Sequence, residues 1–237
     1  MSIKRLDWDS SFFGCEVFGA YPQAGIDLAM VMQQLRQAGA DLAYFFLEEG
    51  QEQLFAELSR AGAVLYDEKL TYGKRLQAFS GETVVSPLAV EAYRGPVTDE
   101  LLDLAIQAGH ESRFRKDPRL AAYFGTLYRL WITRSLEGVM ADRVFVCRDG
   151  DSIKGMITCK IADDGTGSIG LIASDAASRG QGLGPCLVRQ TELFYNQNNI
   201  EISTVVTQQS NKEACRFYEK AGYSIWRKQY VFHLWFN

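Results

Sequence analysis

The chain has 237 residues, of which 47% are apolar and 23% charged, and its formal net charge at pH 7 is −4. A chain of this length and composition can bury a sizeable core, so intrinsic disorder is excluded. The mildly acidic balance makes nucleic acid and anionic membranes poor candidates for a partner. No apolar run reaches membrane-spanning length, and residues 1–20 lack the apolar core of a signal peptide, so we expect a cytoplasmic protein.

Cysteine and histidine are too scattered to suggest a disulfide framework or a metal site. The five cysteines are odd in number and never occur as Cys-x-x-Cys, so neither paired disulfides nor a zinc site is indicated. The two histidines, His110 and His233, do not make a His-rich metal site or a well-formed nucleophile–His pair. We therefore expect free thiols and no metal.

The N-terminal third alternates helical and strand-like segments after an aromatic start. Residues 8–14, Trp-Asp-Ser-Ser-Phe-Phe-Gly, are too apolar to remain a tail and are expected to dock on the core. Apolar spacing then predicts a helix over 26–38, a strand over 42–47, a helix over 51–61 and a pair of strands within 64–76. Gly and Pro punctuation follows, and we place a domain boundary between residues 1–85 and 86–237.

This N-terminal third repeats the pattern of the C-terminal end. A shift of 160 positions (201 − 41) places residues 41–76 on 201–236 without a gap, strand on strand and helix on helix. The chemistry is not repeated, since Leu58 takes the place of Tyr218, and residues 17–21 take the place of a glycine-rich loop described below. The pattern indicates a degenerate partial copy that extends the sheet and helps to enclose a substrate. Chance similarity of a common strand–helix–strand pattern is the alternative.

The remaining elements predict a second, complete α/β unit. We expect a strand over 88–93, a helix over 98–108 capped by Thr98, a helix over 118–136 and strands over 144–147, 153–161 and 168–173. The three last strands are separated by Asp-Gly turn signals, which favour an antiparallel meander.

The most informative stretch is the glycine-rich turn at residues 178–184, Ser-Arg-Gly-Gln-Gly-Leu-Gly, between an apolar strand and a helix predicted over 183–197. Glycines let a backbone approach a ligand closely, and free N–H groups at a helix start form an anion-binding cluster. A pyrophosphate is the expected guest. The spacing fits neither the Gly-x-x-x-x-Gly-Lys-Ser/Thr loop nor the Gly-x-Gly-x-x-Gly dinucleotide motif.

The Arg-x-x-Gly-x-Gly spacing at 179–184 instead resembles the pyrophosphate loop of the GCN5-related N-acetyltransferases, the GNAT superfamily. A second motif supports the resemblance, because a β-rich run at 202–206 is followed by Asn-x-x-Ala at 211–214 and Tyr-Glu-Lys-Ala-Gly-Tyr at 218–223. The resemblance implies a GNAT fold in residues 86–237, an α/β fold with a twisted mixed, mostly antiparallel sheet, preceded by a partial GNAT-like domain. It also implies acetyl-CoA as cosubstrate and no metal.

The resemblance assigns roles residue by residue. The loop would hold the coenzyme A pyrophosphate, and main chain of the preceding strand would bind pantetheine and polarise the thioester. The cofactor-binding positions are then Leu171, Ile172, Ala173, Arg179, Gly180, Gln181, Gly182, Leu183, Gly184 and Asn211. Tyr218 matches the family's catalytic tyrosine, and a phenol suits protonation of a leaving thiolate. Structural alternatives exist, since Arg179 could be merely solvated, Ser210-x-x-Glu213 is a capping box beside Asn211, and Tyr218 lies on an apolar helix face.

Three stretches narrow the resemblance to the TDP-4-amino-4,6-dideoxygalactose (TDP-fucosamine) N-acetyltransferases of bacterial surface-polysaccharide synthesis. They are the Trp-x-x-x-Phe-Phe-Gly element at 8–14, Glu-Ser-Arg-Phe-Arg at 111–115 and the tyrosine helix. The resemblance implies a nucleotide-sugar acceptor, whose diphosphate could pair with Arg113 and Arg115. Asp67 matches a carboxylate assigned as general base in those relatives, which carry the longer Glu there. Without the resemblance, these would be a solvated basic loop and an ordinary hairpin charge.

We therefore predict direct transfer of acetyl from acetyl-CoA to the 4-amino group of a TDP-linked 4-amino-4,6-dideoxyhexose, with Tyr218 as acid and Asp67 as base. The alternatives are a GNAT enzyme that acetylates another amine, such as a protein N-terminus, a polyamine or an aminoglycoside, and a coenzyme A-binding protein without catalysis. A basic entrance disfavours cationic acceptors. The sequence leaves open which sugar epimer is used and whether the chain forms a homodimer.

Overall fold

The computed structural model describes residues 2–23, 25–77 and 88–236, which build an open sheet of ten strands with helices on both faces. The strands are β1 Ser2–Arg5, β2 Val17–Tyr21, β3 Leu42–Glu48, β4 Val64–Arg75, β5 Ala89–Ala92, β6 Arg143–Asp149, β7 Ser152–Ile161, β8 Gly167–Ser174, β9 Ile202–Gln208 and β10 Ser224–Trp235. The helices are α1 Asp7–Phe13, α2 Leu28–Gln37, α3 Glu52–Arg60, α4 Asp99–Ala108, α5 Arg113–Lys116, α6 Phe124–Leu136, α7 Leu183–Gln197 and α8 Lys212–Lys220. Across these ranges, no helix is both long and apolar enough to span a bilayer.

The strand order is β1-β2-β3-β10-β4-β9-β8-β7-β6-β5. Among the described strands, β2–β3 and β8–β9 pair in parallel and the other neighbours are antiparallel. The predicted mixed, mostly antiparallel sheet is therefore confirmed. The predicted pair of strands within 64–76 is wrong, because β4 is one strand of 12 residues. A bulge at Tyr66 interrupts its side-chain alternation, since Asp67 pairs with Val231 but Leu65 with Phe232.

The two ends of the chain exchange strands in the middle of the sheet. β10 lies between β3 and β4, and β4 in turn lies between β10 and β9. The strand register follows the repeat. Glu48 pairs with Gln229, and Gln208 pairs with Lys69; Gln208 is 160 positions after Glu48 (208 − 48), and Gln229 is 160 positions after Lys69 (229 − 69). The offset that we found in the sequence is thus also the offset of the hydrogen-bond register.

One detail of the predicted repeat is wrong. Residues 17–21 are the strand β2, which pairs with β3 as β8 pairs with β9, and they are not the counterpart of the glycine-rich loop. The offset changes because α2 has 10 residues and α7 has 15. Both parallel pairings end at equivalent positions, Ala20–Phe45 and Ile169–Val205. In the N-terminal copy, Tyr21 and Phe46 follow directly after that point, and their rings are stacked with centroids 4.9 Å apart.

Alternation along the strands divides the core between the two faces. Helices α2, α3, α7 and α8 cover one face, where Phe45, Leu70 and Tyr72 are buried. Helices α1, α4, α5 and α6 cover the other, and the predicted docking of the aromatic start is confirmed by the burial of Phe13 there. The predicted helix over 118–136 begins later than expected, at residue 124, after a 3₁₀ turn over 121–123. The boundary predicted at residue 85 lies outside the described residues and stays a prediction.

Candidate active site

A cleft opens in the sheet where β8 and β9 part. Their parallel pairing ends at Ile169–Val205, although β8 continues to Ser174 and β9 to Gln208. The edges of both strands beyond this point have main-chain groups that no neighbouring strand pairs. Such an opening between parallel strands connects the two faces of the sheet.

A bulge on β8 sets which amides face that cleft. The Leu171 N–H points away from it, because it donates to Thr158 Oγ1 on β7 at 2.8 Å. Asp175 N–H also points to β7, where it donates to the Lys154 carbonyl at 2.8 Å. By strand alternation, the main-chain groups of Ile172 and Ser174 are turned to the open edge. Of the three predicted strand positions, Ile172 is thus placed best to meet a ligand through its backbone.

The glycine-rich turn presents a cluster of free amide donors. Gly180 and Gly182 have φ of 75° and 83°, values that non-glycine residues rarely adopt. In the part of the chain that the structure describes, none of the N–H groups of residues 180–184 donates to another group. Pro185 has no N–H, and the first backbone bond of α7 runs from Cys186 to the Gly182 carbonyl. These donors at a helix start fit an anionic diphosphate.

Arg179 extends from this loop and is held by a residue that the sequence did not single out. With the Gln107 side-chain amide oriented to suit its neighbours, its nitrogen donates to the Ser174 carbonyl at 3.2 Å and its oxygen accepts from the Arg179 guanidinium. Gln107 on α4 therefore connects the loop arginine to the end of β8. No local motif marks Gln107, because the contact joins three distant segments.

The start of α8 differs from the predicted capping box. Asn211 is the N-cap, since its Oδ1 accepts from the Ala214 N–H at 3.1 Å. Ser210 is directed outward instead, where its hydroxyl contacts Lys116 Nζ and Glu111 Oε2, each at 2.8 Å. Asn211 keeps its side-chain NH₂ available, and its contact with a cosubstrate stays a prediction.

Tyr218 lies on α8 against the sheet and is 3% exposed. Its ring is 5.8 Å from that of Tyr72 and 6.1 Å from that of Tyr223, so it does belong to the core. Its hydroxyl, however, has no hydrogen-bond partner among the described residues, whereas the Tyr223 hydroxyl bonds to Ser203 at 2.7 Å. Burial raises the pKa of Tyr218, and neighbouring Tyr223 and Cys215 act in the same direction. The phenol is therefore protonated at neutral pH.

Asp67 lies on the opposite face, on β4 beside the end of β9. It is 5% exposed and its Oδ1 has no partner among the described residues. Burial raises the pKa of Asp67 to about 6, and the charge of Arg113 offsets part of the increase. An ionised carboxylate with a free oxygen in a buried position is costly, and such groups are common in active sites.

The predicted basic loop divides into an inner and an outer part. The Arg113 guanidinium lies close to the rings of Tyr44 and Phe114, with its Cζ 4.6 Å and 4.3 Å from the ring centroids, and its Nε has no partner among the described residues. Arg115 is exposed and donates to the His110 carbonyl at 3.3 Å. The sequence therefore singled out a half-buried arginine and a surface arginine without distinguishing them.

The repeat sets Asp67 against a counterpart that is paired. Its counterpart at an offset of 160 (227 − 67) is Arg227, which pairs with Glu48, and Gln229 also donates to Glu48 at 2.8 Å. Glu48 corresponds to Gln208 on β9 (208 − 48). Beside β3 these positions form the ion pair of Glu48 and Arg227, whereas beside β9 the equivalent positions are Gln208 and Asp67, which border the open cleft.

The comparisons with known proteins agree with this geometry. The sequence model of the Acetyltransferase (GNAT) family matches residues 100–223, just over half of the chain. The chain belongs to the GNAT family. It is an N-acetyltransferase, and enzymes of this family use acetyl-CoA. A comparison with curated proteins found no match.

Solved structures show the same fold at low identity. A GCN5-related N-acetyltransferase from Sphaerobacter thermophilus aligns with a TM-score of 0.58 and 14% identity, over 92% of this chain and 73% of that one. A functionally unknown conserved protein from Staphylococcus epidermidis aligns at 0.61 and 14%, over 92% and 83%. A tandem GNAT protein from the clavulanic acid biosynthesis pathway aligns at 0.55 and 10%, over 88% and 68%. These likenesses cover both halves of the chain.

Proposed function

We propose that the enzyme transfers acetyl from acetyl-CoA to the 4-amino group of a TDP-linked 4-amino-4,6-dideoxyhexose by direct attack, in bacterial surface-polysaccharide synthesis. The observation that carries the proposal is the buried Asp67 together with the half-buried Arg113, whose charge acts on Asp67, on the face opposite Tyr218 and next to the end of β9. The carboxylate and the guanidinium both have hydrogen-bonding atoms without partners. They therefore suit an amine that carries hydroxyl groups and a neutral or negative charge better than an apolar amine.

The donor side of the site is supported by the loop amides. Residues 180–184 and Arg179 would hold the diphosphate, and the open main chain of Ile172 would bind the pantetheine arm within the cleft. In this arrangement the thioester would lie where β8 and β9 part. Coenzyme A supplies the activated acetyl group, and the protein supplies position and proton transfer.

Proton transfer would be divided between the two faces of the sheet. Asp67 would accept the proton that the amine loses as the new N–C bond forms, directly or through water. Tyr218 would donate its proton to the thiolate released as the C–S bond breaks. Because Leu70 and Tyr72 face α8 while Asp67 faces α5, the two groups approach the cleft from opposite sides. The shorter reach of Asp relative to Glu is compatible with an intervening water.

The outer basic residues would select a phosphorylated acceptor. Arg115 and Lys116 are exposed at the end of α5, and Ser210 at the start of α8 bonds to Lys116. Lys116 already pairs with Glu111 at 2.8 Å, so Arg115 is the better candidate for the sugar-nucleotide diphosphate. Arg113 is set deeper and would instead contact the sugar.

The test is a comparison of acceptors with the purified protein. Coenzyme A release is measured with TDP-4-amino-4,6-dideoxygalactose, its 4-epimer, the corresponding UDP sugar, spermidine, an aminoglycoside and a peptide with a free N-terminus. We expect kcat/KM to be highest for a TDP amino sugar and lower for the three amines that lack a diphosphate. A higher kcat/KM for spermidine, the aminoglycoside or the peptide would replace the proposed acceptor with that class of amine.

A further inference from the structure

The buried polar atoms that lack partners are concentrated in one place. Within the described ranges, four such side-chain atoms are Tyr44 Oη, Asp67 Oδ1, Arg113 Nε and His233 Nε2. A buried polar group without a hydrogen-bond partner destabilises the fold, so native proteins keep few of them without a reason. If all four atoms lie in one place, a ligand bound there could supply the missing hydrogen-bond partners.

The strand register brings these residues to the same face. Tyr44 and His233 are directly opposite on β3 and β10, and their ring centroids are 4.5 Å apart. Asp67 is opposite Val231, two residues before His233 on β10. Arg113 covers the group from α5, with its Cζ 4.6 Å from the Tyr44 ring centroid. The four atoms thus belong to the acceptor side of the cleft and to both halves of the chain.

The hydrogen bonds of His233 identify which of its nitrogens can accept. Nδ1 is 2.7 Å from Asp117 Oδ2, which also accepts from the Trp235 indole at 3.1 Å. Burial alone would raise the pKa of Asp117, but hydrogen bonds from His233, Trp235 and the Arg119 main chain lower it overall. Asp117 is therefore ionised, and Nδ1 carries the proton that it donates.

Burial also lowers the pKa of His233 to about 4, and the Arg113 charge contributes in the same direction. The imidazole is neutral at physiological pH, so Nε2 keeps a lone pair and is a hydrogen-bond acceptor. Asp117 is a positioning residue in this arrangement, because it sets the tautomer. Burial raises the pKa of the Tyr44 hydroxyl, so this group is protonated and can donate, and its ring centroid is 4.5 Å from that of His233.

We propose that Tyr44 and His233 together bind one hydroxyl group of the acceptor, close to the amine from which Asp67 would accept a proton. A hydroxyl can accept from the Tyr44 O–H and donate to His233 Nε2 at the same time, which no amine cation or alkyl group can do. This inference rests on the proposed function and deepens it. It defines the acceptor as an amino alcohol, and in a 4-amino-4,6-dideoxyhexose the hydroxyl is the one on C3.

The test compares TDP-4-amino-4,6-dideoxygalactose with its 3-deoxy analogue. We expect the wild-type enzyme to prefer the parent sugar by roughly 10²-fold in kcat/KM, because the analogue leaves two buried groups unpaired. Tyr44→Phe and His233→Gln are each expected to lower kcat/KM for the parent by about tenfold and to leave the 3-deoxy analogue nearly unchanged. Equal losses on both substrates would overturn the inference.

Tyr93→Phe is a matched control. The Tyr93 hydroxyl donates to the Pro96 carbonyl at 2.7 Å, so its removal should lower the melting temperature without changing the preference for the 3-hydroxyl. Tyr44→Phe removes an unpaired hydroxyl and should keep or raise the melting temperature. If His233→Gln does not fold, the ¹⁵N shift of Nε2 in the wild type is followed while the parent sugar and coenzyme A bind, and an unchanged shift counts against the inference.

The outcomes separate this inference from the proposal on which it rests. If the wild type acetylates neither sugar nucleotide, the proposed function fails and the inference fails with it. If the wild type acetylates both sugars with equal kcat/KM, the proposed function stands and the hydroxyl site alone is refuted.

Discussion

Lys69 and Gln229 are cross-strand partners on β4 and β10, and they differ by 160 positions (229 − 69), the offset of the internal repeat. The two residues are therefore counterparts in the repeat and also partners in the sheet. A local twofold axis that relates the two copies lies between them. On one side of this pair Glu48 binds Arg227, and on the other side the counterparts are Gln208 and Asp67. The same scaffold thus carries a closed ion pair and an open candidate site.

The exchange of strands predicts that the two halves fold as one unit. β4 pairs with β9 and β10, and β10 pairs with β3 and β4, so neither half keeps a complete sheet when it is separated. We expect residues 1–77 and 88–237, expressed alone, to lack cooperative unfolding, and co-expression to restore it. Denaturation followed by circular dichroism measures this. Cooperative unfolding of either fragment alone would contradict this prediction and would indicate that the two parts of the chain are autonomous domains.

Asp67→Asn is expected to reduce activity and increase stability. The pKa of about 6 in the folded protein lies above the ordinary value of 3.8 for an aspartate, so folding favours the protonated form, and this stabilisation is lost as the pH rises through 6. Above pH 6 the charge costs about 2–3 kcal/mol, which Asn avoids. We expect a higher melting temperature at pH 7.5 and a kcat lower by roughly 10²-fold or more.

The pH dependence gives a second check on Asp67. If it is the base, kcat/KM of the wild type should fall below pH 6, and this acidic limb should be absent in the Asn variant. Asp164→Asn is the control. Hydrogen bonds from Thr166 lower the pKa of that exposed carboxyl, whereas the pKa of Asp67 is raised, so the acidic limb should persist in this variant. An acidic limb that persists in Asp67→Asn would assign it to another group.

Tyr218→Phe should lower kcat at saturating acetyl-CoA by roughly 10²- to 10⁴-fold, because the thiolate would lose its acid. Its KM for acetyl-CoA should change little, since the ring and its packing remain. Tyr72→Phe is the neighbouring control, because it removes a hydrogen bond to Glu219 of 3.1 Å and leaves the cleft unchanged. Wild-type turnover in Tyr218→Phe would leave the tyrosine with its core role only.

A pair of glycines separates backbone strain from ligand binding in the loop. Gly182 and Gly165 have φ of 83° and 79°, and a Cβ at either position would meet no atom within 4 Å. Substitution by Ala should cost each variant a similar amount, about 1–2 kcal/mol, because both must keep a left-handed backbone. Only Gly182→Ala should weaken acetyl-CoA binding in calorimetry, by about tenfold. Equal affinities for the two variants would remove the loop from the cosubstrate site.

Local sequence determined the elements whose signals lie within a few residues. The helix predicted over 183–197 is observed with the same bounds, because the glycine turn starts it and its apolar face is continuous. Thr98 caps α4 as predicted, since its hydroxyl accepts from Leu101 N–H. The family was likewise readable from two motifs, because the loop and the tyrosine helix each have a specific local geometry.

The tertiary structure decided what depends on pairing between distant segments. Nothing local distinguishes the half-buried Arg113 from the exposed Arg115, and only the packing of α5 over Tyr44 separates them. His233 looked unimportant as one of two histidines, yet β10 places it between Asp117 and Tyr44. Residue type and short spacing encode backbone conformation, whereas burial and hydrogen-bond partners arise from contacts between distant segments, which a single sequence does not encode in any local pattern.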